Sequence, residues 1–197
     1  MTVRVKSDRR AEILAAARAV FAEKGLEDSK ISDIVARAGV AQGTFYLYFP
    51  SKTSLLSALG DDLDDALLGS IQEATAAQTS FAGKIEAGIR AAFRTFEECR
   101  DVIMTLRSAL GTSQRHGEGL EAEKANRPFY TFIEALIHQG QELGEVEPSI
   151  NPSLSARLVL GVVDRAAEEF YLYPPEWDSE TYIREVVAFV QRALIKH

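Results

Sequence analysis

Residues 31–56 read ISDIVARAGVAQGTFYLYFPSKTSLL, and this stretch decides the fold. Ile31, Ile34, Val35 and Ala38 repeat at i, i+3, i+4 and i+7 over two turns. That spacing predicts a short amphipathic helix, with Ser29 as its N-cap and Gly39 at its end. A second short helix is predicted over 42–47, and Pro50-Ser51 then opens a longer one through residue 69. Two short helices cross at a wide angle when the first offers a compact residue, a glycine turns left-handed between them, and the second supplies an apolar plug. Val35, Gly39 and Phe45 stand at those positions. Upstream, Ile13, Leu14, Ala17, Val20 and Phe21 stripe a helix over 8–24 that Gly25 is expected to stop. Ile31, Ile34 and Val40 would close a small core against Ile13, Ala17 and Phe21, with Phe45 and Phe49 on the plugging face.

This packing turns Gln42, Gly43, Thr44, Tyr46 and Tyr48 outward, and polar residues so placed on a second helix suit the major groove of DNA. Gln pairs bidentately with an adenine edge, a Thr methyl meets a thymine methyl, and Gly43 lets the helix N-terminus approach closely. Tyrosine hydroxyls and Lys52 suit phosphate oxygens, which fix orientation rather than sequence.

The run above, preceded by RRAEILAAARAVFAEKGLE, resembles the N-terminal domain of TetR-family transcriptional regulators over residues 9–56. The resemblance is carried by Ala38-Gly39-Val40, by Gly43 to Phe49, and by Pro50-Ser51-Lys52. It implies that Gln42, Thr44, Tyr46, Tyr48 and Lys52 face an operator, with Lys30 and Ser32 adding contacts at the start of the preceding helix. Two positions depart from the family pattern. Ala41 stands where Ser or Thr is usual and can neither cap the helix nor touch phosphate through its side chain, and Val35 replaces the usual Ala. The resemblance also implies an all-α protein: a three-helix DNA-binding domain over 1–56, joined through a long helix to a helical effector-binding and dimerisation domain over 57–197.

The charge distribution fits such a division. The 197 residues carry a net charge of −7. Residues 1–60 hold nine basic and six acidic side chains, a balance of +3, and no Asp or Glu occurs from 34 to 60. An acidic remainder would repel DNA and confine contact to the N-terminal part. Composition argues against disordered and low-complexity classes, and a lone cysteine, Cys99, excludes an internal disulfide or a cysteine-zinc cluster. No stretch is apolar enough for a signal peptide or a membrane span, so the expected setting is the cytoplasm, with no membrane partner.

Downstream, helical spacing predicts further helices at about 81–99, 102–112, 120–143, 152–171 and 179–195, separated by GTSQRHGEG, GEVEPSINP and YPPEWDSE. Two apolar stripes are candidates for a four-helix interface between twofold mates: Leu158, Val162 and Ala166, and Ile183, Val186, Val187 and Val190. Burial inside the protomer would use the same pattern, and the family resemblance favours the homodimer. A dimer would read a palindromic operator with half-sites one turn, about 34–36 Å, or a multiple apart.

The candidate effector residues are Phe93, Phe96, Met104 and Phe129, together with Phe132 and Ile137, and the polar Arg107 and His138 among apolar neighbours. Arg107 would suit an anionic head such as a carboxylate or acyl thioester, although a salt bridge to Glu or Asp is the favoured reading. Asp164, Arg165, Glu168 and Glu169 suit interface pairs or a solvated face, and Asp61, Asp62, Asp64 and Asp65 a solvated face. No metal, cofactor or catalytic set is expected: His116, His138 and His197 are the histidines, and no phosphate loop or nucleophile elbow occurs. The leading expectation is a ligand-released repressor. The alternatives are a small-molecule-binding enzyme with an incidental helix-turn-helix, and a sequence-independent DNA-binding protein, which the charge of −7 disfavours.

Overall fold

The computed structural model describes residues 2–110, 120–173 and 176–196. Its elements are α1 (Thr2–Asp28), α2 (Ile31–Ala38), α3 (Gln42–Tyr48), α4 (Lys52–Ala76), α5 (Phe81–Glu98), α6 (Arg100–Leu110), α7 (Leu120–Glu142), α8 (Pro152–Leu172) and α9 (Ser179–Leu194). Extended pairing is confined, among the described residues, to one antiparallel bridge between Val146 and Ile195. The architecture is all-α, as expected. The run 111–119, the expected helix end at Thr112, and Pro174-Pro175 lie outside the described residues.

The chain divides between Asp64 and Asp65, and again between Glu98 and Cys99, into two compact units. The first combines α1 to α3, the first half of α4, and α6. The second combines the rest of α4 with α5, α7, α8 and α9. Within the first unit α6 returns to pack on α1. Arg18 fixes that return: Nε and Nη2 donate to the two carboxylate oxygens of Asp101, each at 2.5 Å. Burial alone would raise the Asp101 carboxyl, but the Arg18 hydrogen bonds and charge together hold it below the usual carboxylate range.

Within the first unit Ile13, Ala17, Phe21, Ile34, Phe45, Phe49 and Leu55 are buried. Gly39 adopts φ 64, ψ 32, and this left-handed residue caps α2, its N–H donating to Ala36 O at 3.4 Å while Val40 N–H reaches Val35 O at 3.1 Å. Gly25, expected as a stop, is instead a kink at φ 73, ψ 167, beyond which α1 runs on to Asp28. Ser29 is not the N-cap of α2; that position is Lys30. Ser29 is buried, and its hydroxyl donates back to Gly25 O at 2.5 Å. The start of α2 is closed by Asp33 instead, whose carboxylate accepts Lys30 N–H at 3.0 Å and the Lys24 ammonium at 2.9 Å. Lys24 first, and the Lys30 N–H second, hold the Asp33 carboxyl below its ordinary value.

In the second unit α5 buries Phe81, Ile85, Ile89, Phe93 and Phe96, and α9 buries Val186, Val187, Val190 and Leu194. Arg90 donates to both Glu180 oxygens at 2.7 and 2.8 Å, joining α5 to α9. Gly140 is required where α7 ends: a Cβ there would lie 2.5 Å from Val146 Cγ2 and 2.9 Å from Phe81 Cδ2.

Candidate nucleic-acid interface and effector cavity

A seven-residue helix such as α3 does not hold its shape by backbone hydrogen bonds alone. Its anchor is Phe45, wholly buried, whose ring meets Phe49 at 5.8 Å and the edge of Tyr46 at 5.5 Å. Burying one such ring contributes about 2–3 kcal/mol. Ala41 is the N-cap and makes no side-chain bond, as its methyl dictates. With Phe45 and Phe49 inward, Gln42, Gly43 and Tyr46 are exposed and Thr44 and Tyr48 half-buried. Lys30 and Ser32 at the start of α2 are also exposed. Gln42, Gly43, Thr44, Tyr46, Tyr48, Lys30 and Ser32 are thus wholly or partly exposed on the first unit, with one addition and one exception.

The addition is Leu47, 84% exposed on α3. The i, i+4 pattern assigns it no core role, and an apolar side chain left in water on an otherwise polar helix is the signal that could have marked it. The exception is Lys52. Its ammonium does not stand free: it donates to Leu26 O and to Ser29 O, the latter at 2.8 Å, and lies 5.8 Å from the Phe21 ring centroid. Much of the remaining basic charge is paired as well. Arg9 meets Glu12, Arg10 meets Asp62 and Arg37 meets Glu23, at 2.6, 3.0 and 2.7 Å.

The second unit contains an apolar cavity of about 60 Å³, walled by Ile71 and Thr75 of α4, Lys84, Ile85, Gly88, Ile89 and Ala92 of α5, Phe129, Phe132, Ile133 and Leu136 of α7, and Val159, Leu160 and Val163 of α8. Thr75 turns its hydroxyl back to Ile71 O at 2.9 Å, so the wall presents only its methyl. Gly88 lets α5 come close there, since a Cβ would stand 3.2 Å from that methyl. Lys84 is the ionisable residue of the lining, its ammonium donating to Gln139 Oε1.

Of the eight candidate effector residues, Phe129 and Phe132 line this cavity. Phe93 and Phe96 do not; they are packed against Tyr171, whose hydroxyl donates to Phe93 O at 2.8 Å. Met104 is exposed and Arg107 half-buried on α6, which belongs to the first unit. His138 is an exposed residue of α7, its Nε2 4.0 Å from Glu134 Oε1. Helical spacing marks which side chains turn inward but not which of them leave space between them, and this is why the other six lie outside the lining.

Matches to known proteins agree with this arrangement. Residues 13–59 match the family model for bacterial regulatory proteins of the tetR family, and residues 85–194 match the tetracyclin repressor-like C-terminal domain. The chain is 34% identical over 184 residues to the HTH-type transcriptional regulator YvdT of Bacillus subtilis (strain 168), covering 93% of each protein. The chain belongs to the TetR family. Solved TetR-family folds superpose along its length: a regulator from Pectobacterium atrosepticum gives a TM-score of 0.78 at 23% identity, covering 100% of this chain and 99% of that one. The fatty-acid regulator FadR from Bacillus subtilis, solved in complex with stearoyl-CoA, gives 0.74 at 21% identity, covering 91% and 96%. This TetR-family protein is a transcriptional regulator whose helix-turn-helix is α2–α3.

Its second unit also shows where the stripes of the last two helices go. Leu158 is 61% exposed on α8, beside exposed Leu154 and half-buried Val162 and Ala166. On α9, Val186, Val187 and Val190 turn into the protomer and Ile183 is half-buried, so this stripe is core rather than outward face. Phe189, 60% exposed, is the apolar residue α9 presents outward. Among the described residues no three His, Cys, Asp or Glu side chains gather in a metal-holding group, and no helix is long and apolar enough to cross a membrane.

Proposed function

We propose that this regulator is a ligand-released repressor that binds a palindromic operator in the cytoplasm as a homodimer. The observation that carries it is α3: a helix pinned by a wholly buried Phe45 that turns Gln42, Gly43, Thr44 and Tyr46 outward beside an exposed Lys30 and Ser32. Gln42 and Thr44 read base edges in the major groove, Tyr48 and Lys30 meet phosphates, and Leu47 packs on thymine methyls or sugars. The dimer forms through Leu154, Leu158, Val162 and Phe189, an apolar face that a soluble monomer would not leave in water.

The effector is an apolar chain with an anionic head. The α4–α5–α7–α8 cavity is walled by hydrocarbon, with Lys84 as the one charge among the described residues of its lining. A space of about 60 Å³ holds roughly two waters, so a long chain enters only by moving the walls apart. That requirement is the mechanism: the ligand binds the widened form better and shifts the dimer toward it. The FadR structure with stearoyl-CoA supports an acyl ligand of this class. The test is release. A duplex selected from a random pool is held by the protein and challenged with fatty acids and acyl-CoA esters of rising chain length. Release that sharpens with chain length supports the reading, and indifference to every acyl chain overturns the effector class.

A further inference from the structure

We propose that Lys84 binds the charged end of the effector: a carboxylate carried directly on the hydrocarbon chain docks where α5 begins and α7 ends, and the chain points from there toward Ala92 and Phe129. This rests on the reading of the cavity as the effector site. The cavity has one polar end. Along α5 the lining runs Lys84, Ile85, Gly88, Ile89 and Ala92, the spacing of one helix face, and a rise of about 1.5 Å per residue sets Ala92 about 12 Å beyond Lys84. Along α7 it runs Phe129, Phe132, Ile133 and Leu136, and Gln139 is the next position on that face. Both walls therefore turn polar at the same end, where the Lys84 ammonium donates to Gln139 Oε1. Phe81, at the start of α5, packs against Gly140 beside this pair. Gln139 is exposed and Lys84 half-buried, so this end meets solvent.

The ammonium is suited to an anion. It has three N–H donors, and its partner is the neutral oxygen of an amide; among the described residues no carboxylate pairs with it. The acidic groups nearest along the two helix ends are engaged elsewhere. Glu86 meets Arg90 at 3.0 Å, and Glu145 accepts the Phe81 N–H at 2.5 Å, which closes the start of α5 without Lys84. A carboxylate is a stronger acceptor than an amide oxygen, so it displaces Gln139 from the ammonium. Further in, the walls offer an anion nothing: Thr75 turns its hydroxyl back to Ile71 O and Gln72 O, and the α7 and α8 lining is hydrocarbon. A charge buried there would stand unpaired, and this fixes the direction of the chain. A coenzyme A ester is neutral at its thioester and brings no charge to Lys84, which favours the free acid.

The test measures, by titration calorimetry, the binding of decanoate, methyl decanoate and decanoyl-CoA to the full-length wild type, Lys84→Met and Lys84→Arg. The wild type is expected to bind decanoate about tenfold or more tighter than the methyl ester, the worth of one charge-assisted hydrogen bond. Lys84→Met should bring decanoate down to the level of the ester and leave the ester unchanged, while Lys84→Arg keeps most of the preference. Decanoyl-CoA should change less than about twofold between the wild type and Lys84→Met, since its thioester gives Lys84 no anion. Decanoate binding that Lys84→Met leaves intact overturns the proposal, as does an equal loss of acid and ester. A loss confined to decanoyl-CoA overturns it too, by assigning Lys84 to the phosphates. Should Lys84→Met fail to fold, the wild type decides by NMR with decanoate labelled at its methyl end. Contacts from that methyl to Ala92 and Phe129 support the proposal, and contacts to Lys84 overturn it. If the wild type binds none of the three ligands, the acyl-effector reading fails and takes the proposal with it. Binding that ignores Lys84 defeats the proposal alone. Binding that depends on Lys84 but releases no DNA defeats the ligand-released reading and supports the role of Lys84.

Discussion

The faces of α3 and of α8 both leave large apolar side chains in water, Leu47 and Tyr46 on one, Leu154 and Leu158 on the other. They differ in what surrounds them. On α3 the apolar groups are interleaved with Gln42, Gly43 and Thr44, and hydrogen-bonding groups at fixed offsets suit a surface that itself varies in donors and acceptors. On α8 they follow one another at i and i+4 as hydrocarbon, which suits a second copy of the same hydrocarbon. On the proposed reading, function on the first face lies in the identity of single residues. On the second it lies in summed area, and no single side chain there carries a chemical signature.

That contrast is sharpest where anchors are removed. Phe45→Ala empties the site that holds α3 and is expected to cost about 3–5 kcal/mol, read as a lower denaturant midpoint and lost DNA binding together. Gly140→Ala is its counterpart in the second unit, forcing a methyl toward Val146 and Phe81. It should cost about 1–3 kcal/mol by the same denaturation assay while the DNA-reading face keeps its side chains. Should Phe45→Ala prove milder than Gly140→Ala, α3 is held by something other than its plug.

Surface changes should separate the two faces. Tyr46→Ala or Thr44→Ala should weaken binding to the selected duplex by about tenfold or more, roughly 1–3 kcal/mol, with the melting temperature unchanged. Leu158→Asp combined with Phe189→Asp should leave the protomer folded but shift its sedimentation toward monomer, and lose operator affinity only because the second half-site is no longer engaged. A double variant that stays dimeric contradicts the α8–α9 face.

The smallest effect concerns the Arg18–Asp101 pair. Because the Asp101 carboxyl is depressed in the folded chain, its contribution is present above the unfolded carboxylate value, near pH 4, and is lost as pH falls through the lower folded value. Both side chains are about a third exposed or more, so screening limits the pair to about 1 kcal/mol. Asp101→Asn should therefore cost little at neutral pH and flatten the acid side of the stability profile. An unaltered profile would mean the pair does not fix α6 on α1.

The helix-turn-helix was legible because its rules are local. Gly39 must turn left-handed, Phe45 must plug, and Gln42, Gly43 and Tyr46 are then left facing out. The junction beside it was not, because its bonds depend on the kink: Ser29 reads as an N-cap until Gly25 offers it a carbonyl, and nothing in the spacing shows that Lys52 reaches Leu26 and Ser29. In the second unit spacing located the helices but not the space between them. Phe93 and Phe129 share the same inward periodicity, yet one meets Tyr171 and the other a void. Likewise the return of α6 to α1 hangs on a pair separated by 83 residues, which no window along the chain contains.

On the proposed reading, two copies of α3, held at a fixed separation, read DNA. Selection of bound duplexes from a random pool by the purified protein, at two salt concentrations, tests it most directly. Such a dimer should recover a palindrome whose half-sites lie about 34–36 Å apart or a multiple of that, enriched at both salts. Recovery of no motif, with binding that vanishes as salt rises, would contradict it.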